Sequence, residues 1–222
     1  MRRETLLLLT LVVAVVGYGT YKIVFGESEP ITRLEVLPAF EPGSDAMDPT
    51  QAVVRLYDKR GFFCSGVVIG DNYIATAAHC LHDDKGNLST DVITVQGANK
   101  HEGRAAGYYA RTDIGLVTGD FRGEVTVDVE IDRMGLNVEK AVVCGYPLGN
   151  HTLLCEYAQP KAMDAFAVWA SGFALPGMSG GAVFDMSGRL VGLVSGAYLK
   201  EAGSGIALAP TTGLLAIFGL SK

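Results

Sequence analysis

Pro176-Gly177-Met178-Ser179-Gly180-Gly181-Ala182 sets a serine among glycines, directly ahead of the apolar run Ala182-Val183-Phe184. By itself a glycine-flanked serine marks a tight turn, and Gly177, with no Cβ, can take a backbone conformation closed to other residues and point its N–H inward. The same alternation of turn and apolar run continues on both sides. Downstream lies Leu190-Val191-Gly192-Leu193-Val194. Upstream lie Ala52-Val53-Val54-Arg55-Leu56-Tyr57, Gly66-Val67-Val68-Ile69-Gly70, Tyr73-Ile74-Ala75-Thr76-Ala77, Val92-Ile93-Thr94-Val95, Ile114-Gly115-Leu116-Val117, Ala141-Val142-Val143-Cys144 and Leu153-Leu154-Cys155-Glu156-Tyr157. Asp71-Asn72, Asp84-Lys85-Gly86-Asn87, Gly149-Asn150 and Met186-Ser187-Gly188 supply turns between them. Short runs at this spacing predict an all-β domain over residues 51–222, a sandwich or a barrel. Thr212-Gly213-Leu214-Leu215-Ala216-Ile217-Phe218 predicts a short terminal helix.

Composition agrees. Of 222 residues 28 are glycine, as many tight turns require, and 49% apolar against 19% charged residues can bury a substantial core. The net charge of −6 comes without any block of Lys or Arg, which argues against nucleic acid as a partner. Four cysteines, Cys64, Cys80, Cys144 and Cys155, are too widely spaced for a zinc site and even in number, as disulfides in an exported chain require. Cys144 and Cys155 flank Gly145-Tyr146-Pro147-Leu148-Gly149-Asn150, which could be a hairpin loop closed by a cross-strand bridge.

The first 26 residues predict a targeting segment. Arg2 and Arg3 precede Leu6-Leu7-Leu8-Leu9-Thr10-Leu11-Val12-Val13-Ala14-Val15-Val16, and the apolar character continues more weakly to Phe25. The arginines stay in the cytoplasm and send the rest of the chain across the membrane. The short apolar core suits a cleaved signal peptide. The lack of a clean small-residue cleavage site suits a retained hydrophobic helix, a single-pass anchor with Lys22 at its edge. Either way the domain is expected outside the cytoplasm, periplasmic or extracellular, tethered to the membrane or secreted. Residues 27–50, with Pro30, Pro38, Pro42 and Gly43, predict a linker.

Acyl transfer by a serine hydroxyl needs a nucleophile, a base, a group that orients the base, and donors for the developing oxyanion. Taken alone, His79 in Thr76-Ala77-Ala78-His79-Cys80 is a packed histidine after an apolar strand. With Phe63-Cys64-Ser65-Gly66 upstream, however, the pentapeptide resembles the histidine region of trypsin-like serine proteases. Gly-x-Ser-Gly-Gly around Ser179 resembles that family's nucleophile loop, and Asp113-Ile114-Gly115-Leu116-Val117 its aspartate strand. Asp120, in Gly119-Asp120, is the nearby rival and suits a turn. The order His, Asp, Ser is that of chymotrypsin-like chains. The resemblance implies two antiparallel six-stranded β-barrels with the active site in the cleft between them. It implies a triad of His79, Asp113 and Ser179, an oxyanion hole from the N–H groups of Gly177 and Ser179, a Cys64–Cys80 bridge, and neither cofactor nor metal. Gly192-Leu193-Val194-Ser195-Gly196 resembles the strand bordering the specificity pocket, which makes Ser195 a pocket residue together with Gly196, Phe173, Ala174 and Gly205. His79 and His82 stand three residues apart without a third metal ligand. His82, His101 and His151 are expected at the surface.

The chain departs from the digestive members in three ways. Met178 stands where they carry an aspartate that pairs with a new N-terminus, and no Ile-Val-Gly-Gly start is present, so activation by that cleavage is not expected. Phe173-Ala174-Leu175 places no charge where the pocket floor should be, from which a preference for small or apolar substrate residues follows. Gly145-Tyr146-Pro147-Leu148-Gly149 looks more like the bacterial high-temperature-requirement proteases, here without a following PDZ domain. The expected function is a serine endopeptidase acting on protein or peptide substrates outside the cytoplasm. The competing expectations are a catalytically silent, membrane-tethered binding protein on the same fold and an esterase using the same site.

Overall fold

The structure is a computed structural model and describes residues 47–59, 61–83, 85–131, 139–163, 167–200 and 203–218. All of these lie in the larger of two compact units, Val36–Lys222. The hydrophobic segment and most of the linker expected at residues 1–50 lie outside the described residues. Among the described residues no helix is long and apolar enough to cross a membrane.

Six strands form a closed antiparallel barrel: β1 (Val53–Asp58), β2 (Gly61–Gly70), β3 (Tyr73–Ala77), β4 (Val92–Gln96), β5 (Lys100–Tyr109) and β6 (Ile114–Gly119), in the order β1-β2-β3-β6-β5-β4. Alternation along β1 shows how it is filled. Val54 and Leu56 pack inside with Val68, Ile74, Val95, Val117 and Phe121, while Val53 points out to a second buried layer. β5 escaped the sequence reading because it is polar and carries glycines where apolar strand residues are expected. Gly103 makes room for the buried Phe121 ring, since a Cβ there would lie 3.2 Å from its Cζ.

The second half is a sheet of seven strands: β7 (Ala141–Gly145), β8 (Leu154–Ala158), β9 (Pro160–Met163), β10 (Val168–Ala170), β11 (Ala182–Phe184), β12 (Leu190–Lys200) and β13 (Gly203–Pro210), in the order β8-β7-β11-β12-β13-β10-β9. The expected six-stranded second barrel is thereby corrected. The two edge strands, β8 and β9, are consecutive in the chain and separated only by Gln159, so the sheet curls until both edges belong to one bent run. The bend is fixed at Gln159, whose N–H donates to Ser171 Oγ (2.9 Å) and whose carbonyl accepts from Ser171 N (2.9 Å). Pro160, which has no N–H for the ladder, starts β9.

The layer between the halves joins Val53, Val67, Ala75, Ile114 and Leu116 of the first barrel to Val142, Phe184, Leu190 and Leu193 of the second sheet. Strands bordering it are buried on both faces, which is why β6 and β7 are continuous apolar runs instead of alternating ones. α1 (Thr212–Ile217) follows β13 where the sequence predicts a helix, with Leu214 buried in that layer.

Both disulfides form. Cys64–Cys80 ties β2 to the 3-10 turn Ala78–Leu81. Cys144 and Cys155 face each other directly across β7 and β8, with Cα atoms 4.2 Å apart.

Candidate active site

His79 lies in the 3-10 turn that follows β3. Asp113 ends the turn into β6 with φ +56°, a left-handed conformation that aspartate tolerates better than most residues. That backbone turns the carboxylate back onto the histidine. Asp113 Oδ1 accepts the His79 backbone N–H at 3.0 Å, and Oδ2 stands 2.8 Å from His79 Nδ1. Asp120 is instead an exposed partner of Arg122, which holds its carboxyl down at about 2.

A third donor reaches Asp113 from the second half. Ser195 Oγ donates to Oδ2 at 2.6 Å. The ladder between β12 and β13 slips between Val194 and Gly196, leaving Ser195 as the extra residue of a β-bulge. A bulge re-aims its side chain, and here it carries the Ser195 hydroxyl onto the Asp113 carboxylate. Burial alone would raise the Asp113 carboxyl. The hydrogen bond and charge of His79, the Ser195 hydroxyl and the His79 N–H outweigh it and hold the group below the usual carboxylate range.

Ser179 is half-buried in the turn before β11. Its carbonyl accepts from Ser65 N (2.9 Å) and lies 4.0 Å from Cys80 Sγ, beside the histidine turn. No hydrogen bond joins the Ser179 hydroxyl to His79 among the described residues, a separation common in unliganded sites of this kind. Gly180 explains the close docking. Its φ is +79°, and a Cβ there would fall 2.1 Å from Thr76 Oγ1 and 2.4 Å from the Ser65 carbonyl. Any other residue would push the serine turn off the first barrel.

The peptide N–H groups of Gly177 and Ser179 are oriented by the carbonyls before them. In a trans peptide N–H and C=O point opposite ways. The Pro176 carbonyl is held by Leu148 N (2.6 Å) and the Met178 carbonyl by Gly181 N (2.9 Å). The N–H groups of Gly177 and Ser179 therefore face away from those anchors, and neither has an acceptor among the described residues. Gly177 has φ +95°.

Sequence reasoning missed Ser65. This fully buried serine donates to the Gly177 carbonyl at 2.8 Å and accepts the Tyr146 N–H at 2.9 Å. It thus joins β2, the turn before Ser179 and the exit of β7. The only sequence signal was its place next to Cys64.

Of the expected pocket residues, Phe173 is exposed, and Ala174 packs against the interior of the second sheet. Gly205 is buried and paired with Tyr198. A Cβ at Gly196 would meet nothing within 4 Å, so that wall is open. Cys64, His79 and Cys80 cluster closely enough to suggest a metal, but both sulfurs are in the disulfide and neither is a thiolate. Two histidines expected at the surface are drawn inward. His101 Nε2 stands 2.9 Å from Glu124 Oε1, and His82 packs edge-on against Tyr108 at 4.5 Å.

The chain is similar to known proteases. The serine protease Do-like HtrA of Lactococcus lactis subsp. cremoris is 27% identical over 152 residues, 58% of this chain and 36% of that protein. The chain spans about a third or less of the length of the curated relatives it matches. Two solved structures share the fold. The serine endoprotease from Yersinia pestis superposes with TM-score 0.63 at 22% identity, covering 78% of this chain and 66% of that one. The HtrA-type protease AlgW superposes with TM-score 0.64 at 20% identity, covering 77% and 60%. The model of the trypsin-like peptidase domain matches residues 64–193, more than half of the chain, and the chain belongs to that family.

Proposed function

We propose that this chain is a serine endopeptidase with His79, Asp113 and Ser179 as its triad. The observation that carries the proposal is the Asp113 carboxylate, gathered onto His79 Nδ1 at 2.8 Å with two further donors on it, beside a serine turn whose neighbouring amides are held for an acceptor. Asp113 fixes the tautomer with the proton on Nδ1, leaving Nε2 as base. Nε2 takes the Ser179 hydroxyl proton as Oγ attacks the substrate carbonyl. The oxyanion is received by the N–H groups of Gly177 and Ser179. The proton then passes from Nε2 to the leaving amine, and water repeats the sequence on the acyl-enzyme.

Met178 supports activity without cleavage of a pro-segment. It is fully buried, packed against the apolar interior of the second sheet, and offers no partner to an inserted α-ammonium. We further propose that residues 1–26 export the domain, as a cleaved signal or a retained anchor, after residues 27–50 as linker. Two disulfides fit an oxidising compartment.

The test is labelling of the oxidised, uncleaved chain by a fluorophosphonate probe, beside Ser179→Ala. Labelling lost in the variant is the expected result. A folded, bridged wild type that never labels would favour the silent binding protein. The expectation of an apolar substrate residue rested on Phe173-Ala174-Leu175 being uncharged, and Glu156 alters that premise.

A further inference from the structure

β8 carries a carboxylate where its register calls for an apolar side chain. Leu154 and Ala158, two residues to either side of Glu156, pack against the interior of the second sheet, and Val143, directly opposite on β7, is fully buried there. The two-residue period of a strand puts Glu156 on that same inner face. Such a position normally excludes a charge unless a partner meets it.

Its partner among the described residues is a single amide. Glu156 Oε1 accepts the Phe173 N–H at 2.7 Å. No Lys, Arg or His is paired with the carboxylate among the described residues, and Oε2 has no hydrogen bond there. Burial pushes the carboxyl above the usual range, opposed only by the Phe173 N–H. Yet the side chain is only half-buried, so the carboxylate borders space that a ligand can enter.

That space belongs to the candidate active site. Phe173 lies six residues before Ser179. Gly172, with φ +120°, lets this segment close on the carboxylate: a Cβ there would fall 2.7 Å from Glu156 Oε1 and 3.5 Å from Ile206 Cδ1. Ile206 pairs with Ala197, and the neighbouring Ala207 pairs with Gly196, just past the bulge that sends Ser195 to Asp113. The carboxylate therefore lies against the segment leading to Ser179, near the β12–β13 wall, and the resemblance to trypsin-like proteases makes these two segments the sides of the pocket for the substrate residue before the scissile bond.

We propose that Glu156 determines specificity and that the substrate residue before the scissile bond is Lys or Arg, its cationic head paired with Glu156 Oε2. This rests on the peptidase reading, and it replaces the preference for small or apolar residues. The acid comes from β8, distant in sequence from the pocket segment, which is why that segment looked uncharged.

Two measurements separate this proposal from the reading beneath it. The first is equilibrium binding of p-aminobenzamidine, an arginine-like cation, to the oxidised full chain carrying Ser179→Ala, which needs no catalysis. Binding is expected, and it should weaken roughly 30-fold or more in Ser179→Ala/Glu156→Gln, where glutamine still accepts the Phe173 N–H but carries no charge. Equal binding to both proteins, or none to either, overturns the proposal. The second is a peptide library cleaved by the wild type and by Glu156→Gln. Cleavage after Lys or Arg is expected in the wild type and should fall by a similar factor in the variant relative to cleavage after apolar residues, while both proteins melt cooperatively. A wild-type profile dominated by apolar residues overturns the specificity alone. Loss of all labelling in a folded wild type, with p-aminobenzamidine still bound, overturns the peptidase reading and leaves the cation site standing.

Discussion

Single hydroxyls hold the two halves of the site in register. Ser65 is fully buried and bonded on both sides, so Ser65→Ala leaves the Tyr146 N–H and the Gly177 carbonyl without their partner. Stability should fall by about 1–3 kcal/mol, read by denaturant unfolding, and labelling of Ser179 should slow by about tenfold or more as the oxyanion turn loosens. Ser195→Ala removes one of the three donors on Asp113. The Asp113 carboxyl sits below its usual range because it is bonded in the folded state. A depressed carboxyl contributes stability above its unfolded pKa, and that contribution is lost as pH falls through the folded value. Ser195→Ala should therefore shift the acid limb of unfolding to higher pH, measured as the midpoint of an acid titration by circular dichroism. An unchanged midpoint would show that His79 alone sets the carboxyl. None of these roles was legible in the sequence. His79, Asp113 and Ser179 stood out because each sits in a local motif. Ser65 and Ser195 act through partners 112 and 82 positions away, and a bulge, which no periodicity announces, decides where Ser195 points.

Strands were legible where they face the layer between the halves. β1, β3, β6, β7 and β11 are runs of Val, Ile, Leu and Ala because burial on one or both faces demands it. β5, β9, β10 and β13 were not. β5 trades an apolar side chain at Gly103 for clearance of the Phe121 ring, and β9 is short, largely exposed and begun by proline. The same trade predicts that Gly103→Val, favourable by strand propensity, will destabilise the barrel, because its Cβ would sit 2.7 Å from Val117 Cγ1 and 3.0 Å from the Thr118 carbonyl. Overpacking of this kind costs about 1–3 kcal/mol and should appear as a lower Tm. The hairpin of β7 and β8 is closed by Cys144–Cys155, across an 11-residue separation. Replacing both cysteines by alanine should cost about 3 kcal/mol in the chain-entropy picture, measured against the oxidised wild type.

At the scale of the molecule, the connection between the halves is fastened to the second sheet. Arg189 binds Glu130 Oε2 at 2.7 Å and Asp185 Oδ2 at 2.8 Å, and the fully buried Thr211 donates to the Glu130 carbonyl at 2.7 Å. Arg189→Met should destabilise the whole domain in one transition, because the buried layer couples the halves. Two separate melting transitions would show instead that they unfold independently. The division of labour across that layer also sets an order in time. His79 and Asp113 precede Ser179, the Ser195 bulge and the β13 wall in the chain and are therefore made earlier. On the peptidase reading, a growing chain thus holds its base and orienting acid long before its nucleophile. A ribosome-bound chain then has nothing with which to cut its neighbours, and hydrolytic power arrives only when the later strands seat against a barrel already waiting for them.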